Sequence, residues 1–499
     1  LFLTFVARKG WLRFPADGSG SEDYFRALWK DYEAVEKQRQ PAKANFYRDR
    51  LSPLFFETLC RDHKNLSGEE RDGLERKVGR LLYLNGGLFE KAKDDSRKGL
   101  SVPDDPLRGI IEKLLCGYNF TVTESTPFDE DVAVDPEMLG RLFERLVVGR
   151  HEKGSYYTPR NIVEFMCREA LKGYLLRAVP GADEASVNRF VDDEEPGRLN
   201  PGTLLEALQE VSVCDPACGS GAYLLGMLHE LFRLQAAVFR PGGPSRHEDD
   251  YKHKLEIISR NLYGVDLDEF AVNIARLRLW LSLMVEYHGD EPPPLPNLDY
   301  QIECGDSLTG PSVRKRQQDL FENHLLMPQV EGFRKTKEAF LKAHGARRDS
   351  FREQVKKFRA QIRKLLDTAS GAEIETGRED RKDFRWELEF PEIIARSGFD
   401  IILANPPYVR QETIDSGMKA LLKKRFPHVY DGKADLYCYF YARALDLLKP
   451  GGMLVFISSN KWFKAGYGKA LREHIRQTCR VTQIIDFRDL PVFEHAIAY

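Results

Sequence analysis

The run Phe399-Asp400-Ile401-Ile402-Leu403-Ala404, followed at once by Asn405-Pro406-Pro407-Tyr408, constrains this 499-residue chain more than any other stretch. A short, mostly apolar run of this length reads as a central strand. The two prolines fix φ and donate no hydrogen bond, so the chain must leave the sheet there as a stiff, extended exit. Such an exit holds the Asn405 amide oxygen and the neighbouring Pro406 carbonyl as two fixed acceptors, able to bind the two hydrogens of a planar amino group. Tyr408 adds a ring face for an unstacked base, a contact worth roughly 1–3 kcal/mol. The same four residues also describe a strand-ending turn in which Asn caps and Tyr packs, so they need company.

That company lies about 190 residues earlier, in Val211-Ser212-Val213-Cys214-Asp215-Pro216-Ala217-Cys218-Gly219-Ser220-Gly221-Ala222. A short apolar strand enters a glycine-containing turn and then an apolar helix, the βα arrangement that puts its loop at the carboxyl edge of a parallel sheet. Gly219 and Gly221 allow backbone to approach a ligand closely, and the helix N-terminus favours a carboxylate. Leu224 occupies the place of a third fingerprint glycine, and no Lys-Ser/Thr follows. A nucleotide without a pyrophosphate therefore fits better than a dinucleotide or a nucleoside triphosphate.

S-adenosylmethionine is a ligand of that kind. Asn261 to Asp266 reads as the next strand, ending in a carboxylate suited to both ribose hydroxyls, with Asp268 as N-cap of a helix from Glu269 to Leu283. Gln301 to Leu308 reads as a third strand whose Asp306 can accept from the adenine amino group of the cofactor. Either acid alone is more often a cap, but two strand-ending acids in this order after a glycine turn form a pattern. Upstream, Thr158-Pro159 reads as N-cap and first residue of a helix from Arg160 to Leu175, with Ile162, Val163, Phe165, Met166 and Leu171 at helical spacing.

These motifs together resemble the gamma-class adenine-N6 DNA methyltransferases, in the branch of type IIG restriction-modification enzymes and phage-defence methylases. Gly154 to Arg160 is similar to the opening cofactor motif of that family, Asp215 to Gly221 to its glycine motif and Asn405 to Tyr408 to its catalytic motif. Tyr83 to Glu90 and Phe384 to Glu392 mark the same lineage without a chemistry of their own. The resemblance implies a Rossmann-like α/β fold with a mixed, mostly parallel seven-stranded sheet, a helical N-terminal domain and a helical insertion. It implies cofactor contacts from Tyr157, Thr158, Asp215, Ala217, Gly219, Gly221, Asp266, Asp306 and Asn405, catalysis by Asn405, Pro406, Pro407 and Tyr408, and no metal. Tyr157 and Thr158 would face the methionine end of the cofactor, and Phe493 would stack with Tyr408 on a flipped base in double-stranded DNA.

The expected domains are 1–140 (helical), 141–310 (first part of the methyltransferase core), 311–389 (charged helical insertion) and 390–499 (second part of the core). Within the insertion Phe351, Val355, Phe358, Ile362, Leu365 and Leu366 recur at helical spacing. Its Arg347, Arg348, Lys356, Lys357, Arg359, Arg363 and Lys364 read either as a solvated face or as contacts to DNA phosphates. The formal net charge of -2 excludes a uniformly basic nucleic-acid binder, so a DNA footprint has to be local. No apolar run reaches the roughly 18 residues of a membrane span and no signal peptide opens the chain, which suits a cytoplasmic protein. Val481 to Phe487 is expected to be a further strand.

The chain opens at Leu1, inside an expected helix, and stops at Tyr499, close behind Phe493. An internal fragment is expected, the resemblance implying a recognition domain beyond the C-terminus and, in the restriction-enzyme branch, a nuclease before the N-terminus. Three rivals share the motifs: N4-cytosine methylation, methylation of RNA guanine or protein glutamine amino groups, and a DNA-binding scaffold without catalysis.

Overall fold

The computed structural model describes residues 2–16, 23–40, 43–63, 66–84, 89, 102–116, 120–121, 132–133, 158–239, 247–310, 325–370 and 384–488. The chain forms two compact units. One comprises Leu1–Leu139, Trp280–Asn297 and Ala339–Arg352, and the other Gly140–Leu279, Leu298–Glu338 and Glu353–Tyr499. The four segments expected from composition do not map one to one onto these units, since 280–297 and 339–352 group with the N-terminal residues.

The described part of the first unit is mainly helical, including Phe2–Arg8, Tyr24–Tyr32 and Gly68–Val78. Trp29, Tyr32 and Phe46 pack ring on ring at its centre. The buried Arg50 guanidinium is held by Asp31 at 2.5 Å and Glu36 at 2.7 Å. A buried cation with two carboxylates meets the requirement that an internal charge be paired.

The second unit is built on five strands, β1 (Val213–Asp215), β2 (Leu262–Asp266), β3 (Ile302–Cys304), β4 (Phe399–Ala404) and β5 (Leu448–Phe456). Their order is β3-β2-β1-β4-β5 and every neighbouring pair is parallel. Alternation along the strands splits the core into two layers. Cys214, Tyr263, Val265 and Ile402 share one face with Trp386, Phe390, Ile393 and Leu447. On the other, helix α1 (Arg160–Ala178) brings Gly173 against Met453, and helix α2 (Ala222–Phe239) lays Leu224 on Gly264. A Cβ at Gly264 would come within 2.7 Å of Leu224, so glycine is what lets the helix sit this close to the strand. Asp400 of β4 ties in both neighbours: it accepts from the backbone at 2.9 Å and the hydroxyl at 2.7 Å of Ser212, the residue before β1, and from Lys449 of β5 at 2.8 Å.

Of the expected seven-stranded mixed sheet, the described residues form five main strands, all parallel. Other expectations are corrected. Val481 to Phe487 pairs with no strand, and Val481, Ile484 and Ile485 are exposed. An apolar run becomes a strand only when a neighbour supplies its hydrogen bonds, a non-local condition that local composition cannot report. Leu448 to Gly452 opens β5, where Gly451 at φ +79 accommodates the register shift opposite Phe399 and Ile401. Thr158 does not cap α1. Pro159 holds the N-cap position and the Thr158 side chain points elsewhere. Helix α3 (Glu269–Val285) does begin as expected, with Asp268 accepting from the Phe270 backbone at 3.0 Å.

The expected insertion contains helices α4 (Leu326–Leu341) and α5 (Gly345–Ser370). Val355, Ile362 and Leu366 are buried along α5, as the periodicity predicts. Its basic residues divide. Arg347, Lys356, Lys357, Arg363 and Lys364 are exposed, Arg348 is buried, and Arg359 is drawn inward to Glu303 at 2.6 Å and to Glu389, over the ring of Tyr300. Burial takes Arg348 off the surface a duplex would touch, and two carboxylates hold the Arg359 guanidinium, so neither stands as an open phosphate contact.

Candidate functional site

Because the sheet is parallel, Asp215, Asp266 and Asn405 all emerge at its carboxyl edge, and Asp306 follows two residues after β3. Successive strands are added outward from β1 to β3 on one side and from β4 to β5 on the other, so the order switches between β1 and β4, which is where open α/β sheets leave a crevice for ligands. The glycine turn leads from β1 to α2 on one side of that crevice, and Asn405-Pro406-Pro407 leaves β4 on the other.

The turn is held rigidly from below. Asp215 accepts from the Ala217 backbone at 3.0 Å, and Cys218 donates its backbone N–H to Val265 at 3.0 Å. Gly219 lies at φ +50 and Gly221 at φ +80, conformations that side-chain-bearing residues rarely adopt. A Cβ on Gly221 would meet the Ala275 Cβ of α3 at 2.9 Å, whereas one on Gly219 would meet nothing within 4 Å. The outer rim of the turn at Gly219 is therefore open to a ligand. Arg278, fully buried within the apolar run of α3, donates to the Ser220 carbonyl at 2.9 Å and fixes the end of the turn.

Three carboxylates line the edge. Burial pushes Asp215 up to about 8, with the nearby Asp266 adding to the rise and the Ala217 N–H opposing it. Asp266 is also raised, by burial first; its two oxygens accept from Gly219 N–H at 2.8 Å and Asp268 N–H at 2.9 Å. Asp306 accepts from the backbones of Leu308 at 3.0 Å and Thr309 at 2.9 Å, and from the Thr309 hydroxyl. Each carboxylate has about four lone-pair sites, so these bonds orient Asp266 and Asp306 without saturating them. The Asp306 turn is anchored to the glycine turn through the Ser307 hydroxyl, 2.6 Å from the Pro216 carbonyl.

Asn405 donates its side-chain N–H to the Thr158 hydroxyl at 3.2 Å, while its amide oxygen is buried without a hydrogen-bond partner. Tyr408 is half-buried, tethered by its hydroxyl to the Ile457 carbonyl at 3.2 Å, with its ring 5.8 Å from that of Tyr437. It packs on an apolar cluster that includes Leu308, Phe426, Tyr437 and Trp462. Tyr157 and Phe493 lie outside the described residues.

Motif spacing did not reveal four residues of this site. Arg278 and the fully buried Arg443, which donates to the carbonyls of Leu308 at 3.0 Å and Gly310 at 2.8 Å, hold the turns that carry the acids. An arginine inside an apolar helical run is the signal that would have found them. Leu267 and Phe270, 76% and 57% exposed directly after Asp266, are large apolar side chains at the surface beside a polar edge. Their exposure is a tertiary fact that the sequence does not carry.

Two family models match this region, the Eco57I restriction-modification methylase over residues 260–493 and the DNA-methyltransferase domain of MmeI over residues 194–292. Among curated relatives, a protein of Methanocaldococcus jannaschii assigned as a putative type II restriction enzyme and methyltransferase is 26% identical over 92% of this chain and 43% of its own length. The adenine-specific methyltransferase BrxX of Escherichia coli is 22% identical over 82% of this chain and 35% of its own. The chain thus spans less than half the length of either relative. Among solved structures, that of the type IIL restriction-modification enzyme MmeI in complex with DNA superposes with a TM-score of 0.51 at 15% identity, covering 96% of this chain and 48% of that one. At that identity the likeness speaks for the fold.

Proposed function

Residues 194–493 carry a restriction-modification methylase domain of the Eco57I and MmeI type, and from that premise we propose that the chain transfers a methyl group from S-adenosylmethionine to the N6 amino group of adenine in DNA. The observation that carries this reading is the buried, unpartnered amide oxygen of Asn405 at the carboxyl end of β4, beside the open glycine turn. An acceptor in that position answers a hydrogen-bond donor, and a planar amino group supplies one.

The residues of the crevice fit the cofactor. A carboxyl held up to about 8 by burial is stabilised as an anion by a bound cation, so Asp215 suits the positively charged end of the cofactor. Asp266 retains lone pairs for ribose hydroxyls, Asp306 for an adenine amino group, and the exposed Leu267 and Phe270 offer apolar surface for the faces of the adenine ring. Gly219 leaves room for the amino-acid portion. The cofactor supplies an electrophilic methyl group on a sulfonium.

The remaining work belongs to the chain. The Asn405 oxygen and the Pro406 carbonyl accept the two N–H bonds of the target amino group, which keeps its lone pair on nitrogen and turns it toward the methyl group. With the cofactor bound, the amino group held by Asn405 and Pro406 would take the methyl as its bond to sulfur breaks, and one amino proton would leave to solvent. Tyr408, fixed by its hydroxyl and its aromatic neighbours, offers a ring for the flipped base, and Phe493 is the second stacking candidate. Extruding the base costs a few kcal/mol, offset by stacking of about 1–3 kcal/mol per base. Positioning and acceptor placement account for the acceleration without a covalent enzyme intermediate.

Expression in a methylation-deficient bacterial host, followed by nucleoside mass spectrometry of the host DNA, tests the reading without knowledge of the target sequence. N6-methyladenine is expected, and should vanish with Asn405→Ala while calorimetric binding of S-adenosylmethionine persists. N4-methylcytosine in its place, or N6-methyladenine that survives Asn405→Ala, overturns it.

A further inference from the structure

Of the two stretches that mark lineage without a chemistry, Phe384 to Glu392 packs directly against the turn that carries Asp306. Trp386 opens a single helical turn, Trp386–Glu389, and is 1% exposed. Its indole N–H donates to the Ser307 carbonyl at 3.0 Å. The rings of Phe384, Phe390 and Phe399 stand 5.2, 5.7 and 6.0 Å from that of Trp386 and fix the plane of the indole. Phe384 also covers both flanks of the turn: a Cβ on Gly305 would collide with its ring, and one on Gly310 with its carbonyl oxygen. From α6 (Tyr437–Leu447), Arg443 donates to the Leu308 carbonyl at 3.0 Å and the Gly310 carbonyl at 2.8 Å.

These bonds reach Asp306 through the peptide units of the turn. A trans peptide is planar and carries its C=O and N–H on opposite sides. The unit joining Ser307 to Leu308 presents its carbonyl to Trp386 and its N–H to the Asp306 carboxylate at 3.0 Å. The next unit, joining Leu308 to Thr309, presents its carbonyl to Arg443 and its N–H to the same carboxylate oxygen at 2.9 Å. Each unit is gripped at both ends, so the aim of the carboxylate follows from where Trp386 and Arg443 sit. Without the indole N–H, the buried Ser307 carbonyl loses its donor and the first unit is no longer held against rotation.

We propose that Trp386, with Arg443, is a positioning residue that aims Asp306 and so sets the selectivity of the crevice for a cofactor whose purine bears an amino group. The aim of the carboxylate stands on geometry; its consequence rests on the reading of Asp306 as acceptor from the cofactor's adenine amino group. Phe384 to Glu392 thereby gains a function as the support on which the adenine-binding turn is laid.

The test uses Trp386→Phe, which keeps an aromatic ring and removes the N–H, and Arg443→Lys, which keeps the charge and gives up the fork. In the cofactor-free chain, hydrogen exchange read by mass spectrometry over residues 305–310 should quicken roughly fivefold in either variant, while exchange in α1 stays at the parent's rate. Calorimetry then compares S-adenosylhomocysteine with S-inosylhomocysteine, in which a carbonyl oxygen replaces the amino group and would face the carboxylate acceptor to acceptor. The parent should prefer the adenosyl ligand roughly tenfold or more, Asp306→Ala should erase the preference, and Trp386→Phe should narrow it by about threefold or more. A defect of packing alone would weaken both ligands alike and leave their ratio intact. That result overturns the proposal, as does exchange over 305–310 that matches the parent or quickens equally in α1. If the parent binds neither ligand, or binds both equally, the cofactor reading of Asp306 fails, and the exchange result decides whether Trp386 holds the turn.

Discussion

Asp215 is the residue whose environment makes the sharpest claim about solution behaviour. Its carboxyl is held up to about 8, first by burial and then by Asp266, so in the cofactor-free chain it carries its proton at neutral pH. A folded-state value above the unfolded one means that its contribution to stability is complete below the ordinary carboxylate range and is lost as pH rises through about 8. A bound cation favours the anion, so cofactor binding should expel this proton and strengthen as pH rises toward 8. Calorimetry at pH ~6.5 in buffers of different ionisation enthalpy should find close to one proton released, and markedly less in Asp215→Asn. Proton release unchanged by the substitution would remove Asp215 from the cofactor site. Motif spacing alone singled out Asp215, Asp266 and Asn405; it did not disclose that Thr158 would turn from its helix toward Asn405, because a threonine before proline reads first as a cap.

Among the elements, the glycine turn and helix α5 show how local pattern and tertiary contact divide the work. Gly221 at φ +80 faces Ala275 of α3, so Gly221→Ala must both strain the backbone and push α3 away. A loss of about 1–3 kcal/mol of stability is expected, with weaker cofactor binding, and denaturant unfolding checks it. An unchanged midpoint would mean that the turn relaxes freely. In α5 the helical period correctly identified the buried stripe of Val355, Ile362 and Leu366, but charge alone could not separate Arg359 from its neighbours. Burial raises Glu389 and Arg359 pulls it back, so removing the guanidinium leaves carboxylates uncompensated. Arg359→Ala should cost roughly 3–5 kcal/mol, whereas Lys357→Glu should leave the unfolding midpoint within about 0.5 kcal/mol of the parent. Equal effects of the two substitutions would contradict the inward ion pair.

For the whole molecule, a net charge of -2 makes any DNA binding a matter of where the cations stand. Residues 409–488, which follow Asn405 to Tyr408, carry roughly twice as many basic as acidic side chains, with Lys423, Lys424, Lys461 and Lys464 exposed among them. If α5 binds phosphates, Arg363→Glu with Lys364→Glu should flatten the dependence of log K on log salt by about 0.9 for each phosphate no longer neutralised. If instead Lys423→Glu with Lys424→Glu does so and the α5 pair does not, the footprint lies beside the catalytic motif. By itself the sequence singled out the candidate residues and indicated an α/β core around them and the lineage, because those depend on short-range rules: strand runs, glycine conformations, proline exits and helical periods. Tertiary structure alone decided which of the described runs pair as strands, the inward turn of Arg359 and Arg348, the exposure of Leu267 and Phe270, and the meeting of Asn405 with Thr158. Each of these is settled by partners distant along the chain or by solvent, and a hydrogen bond takes its direction only when both of its ends are in place.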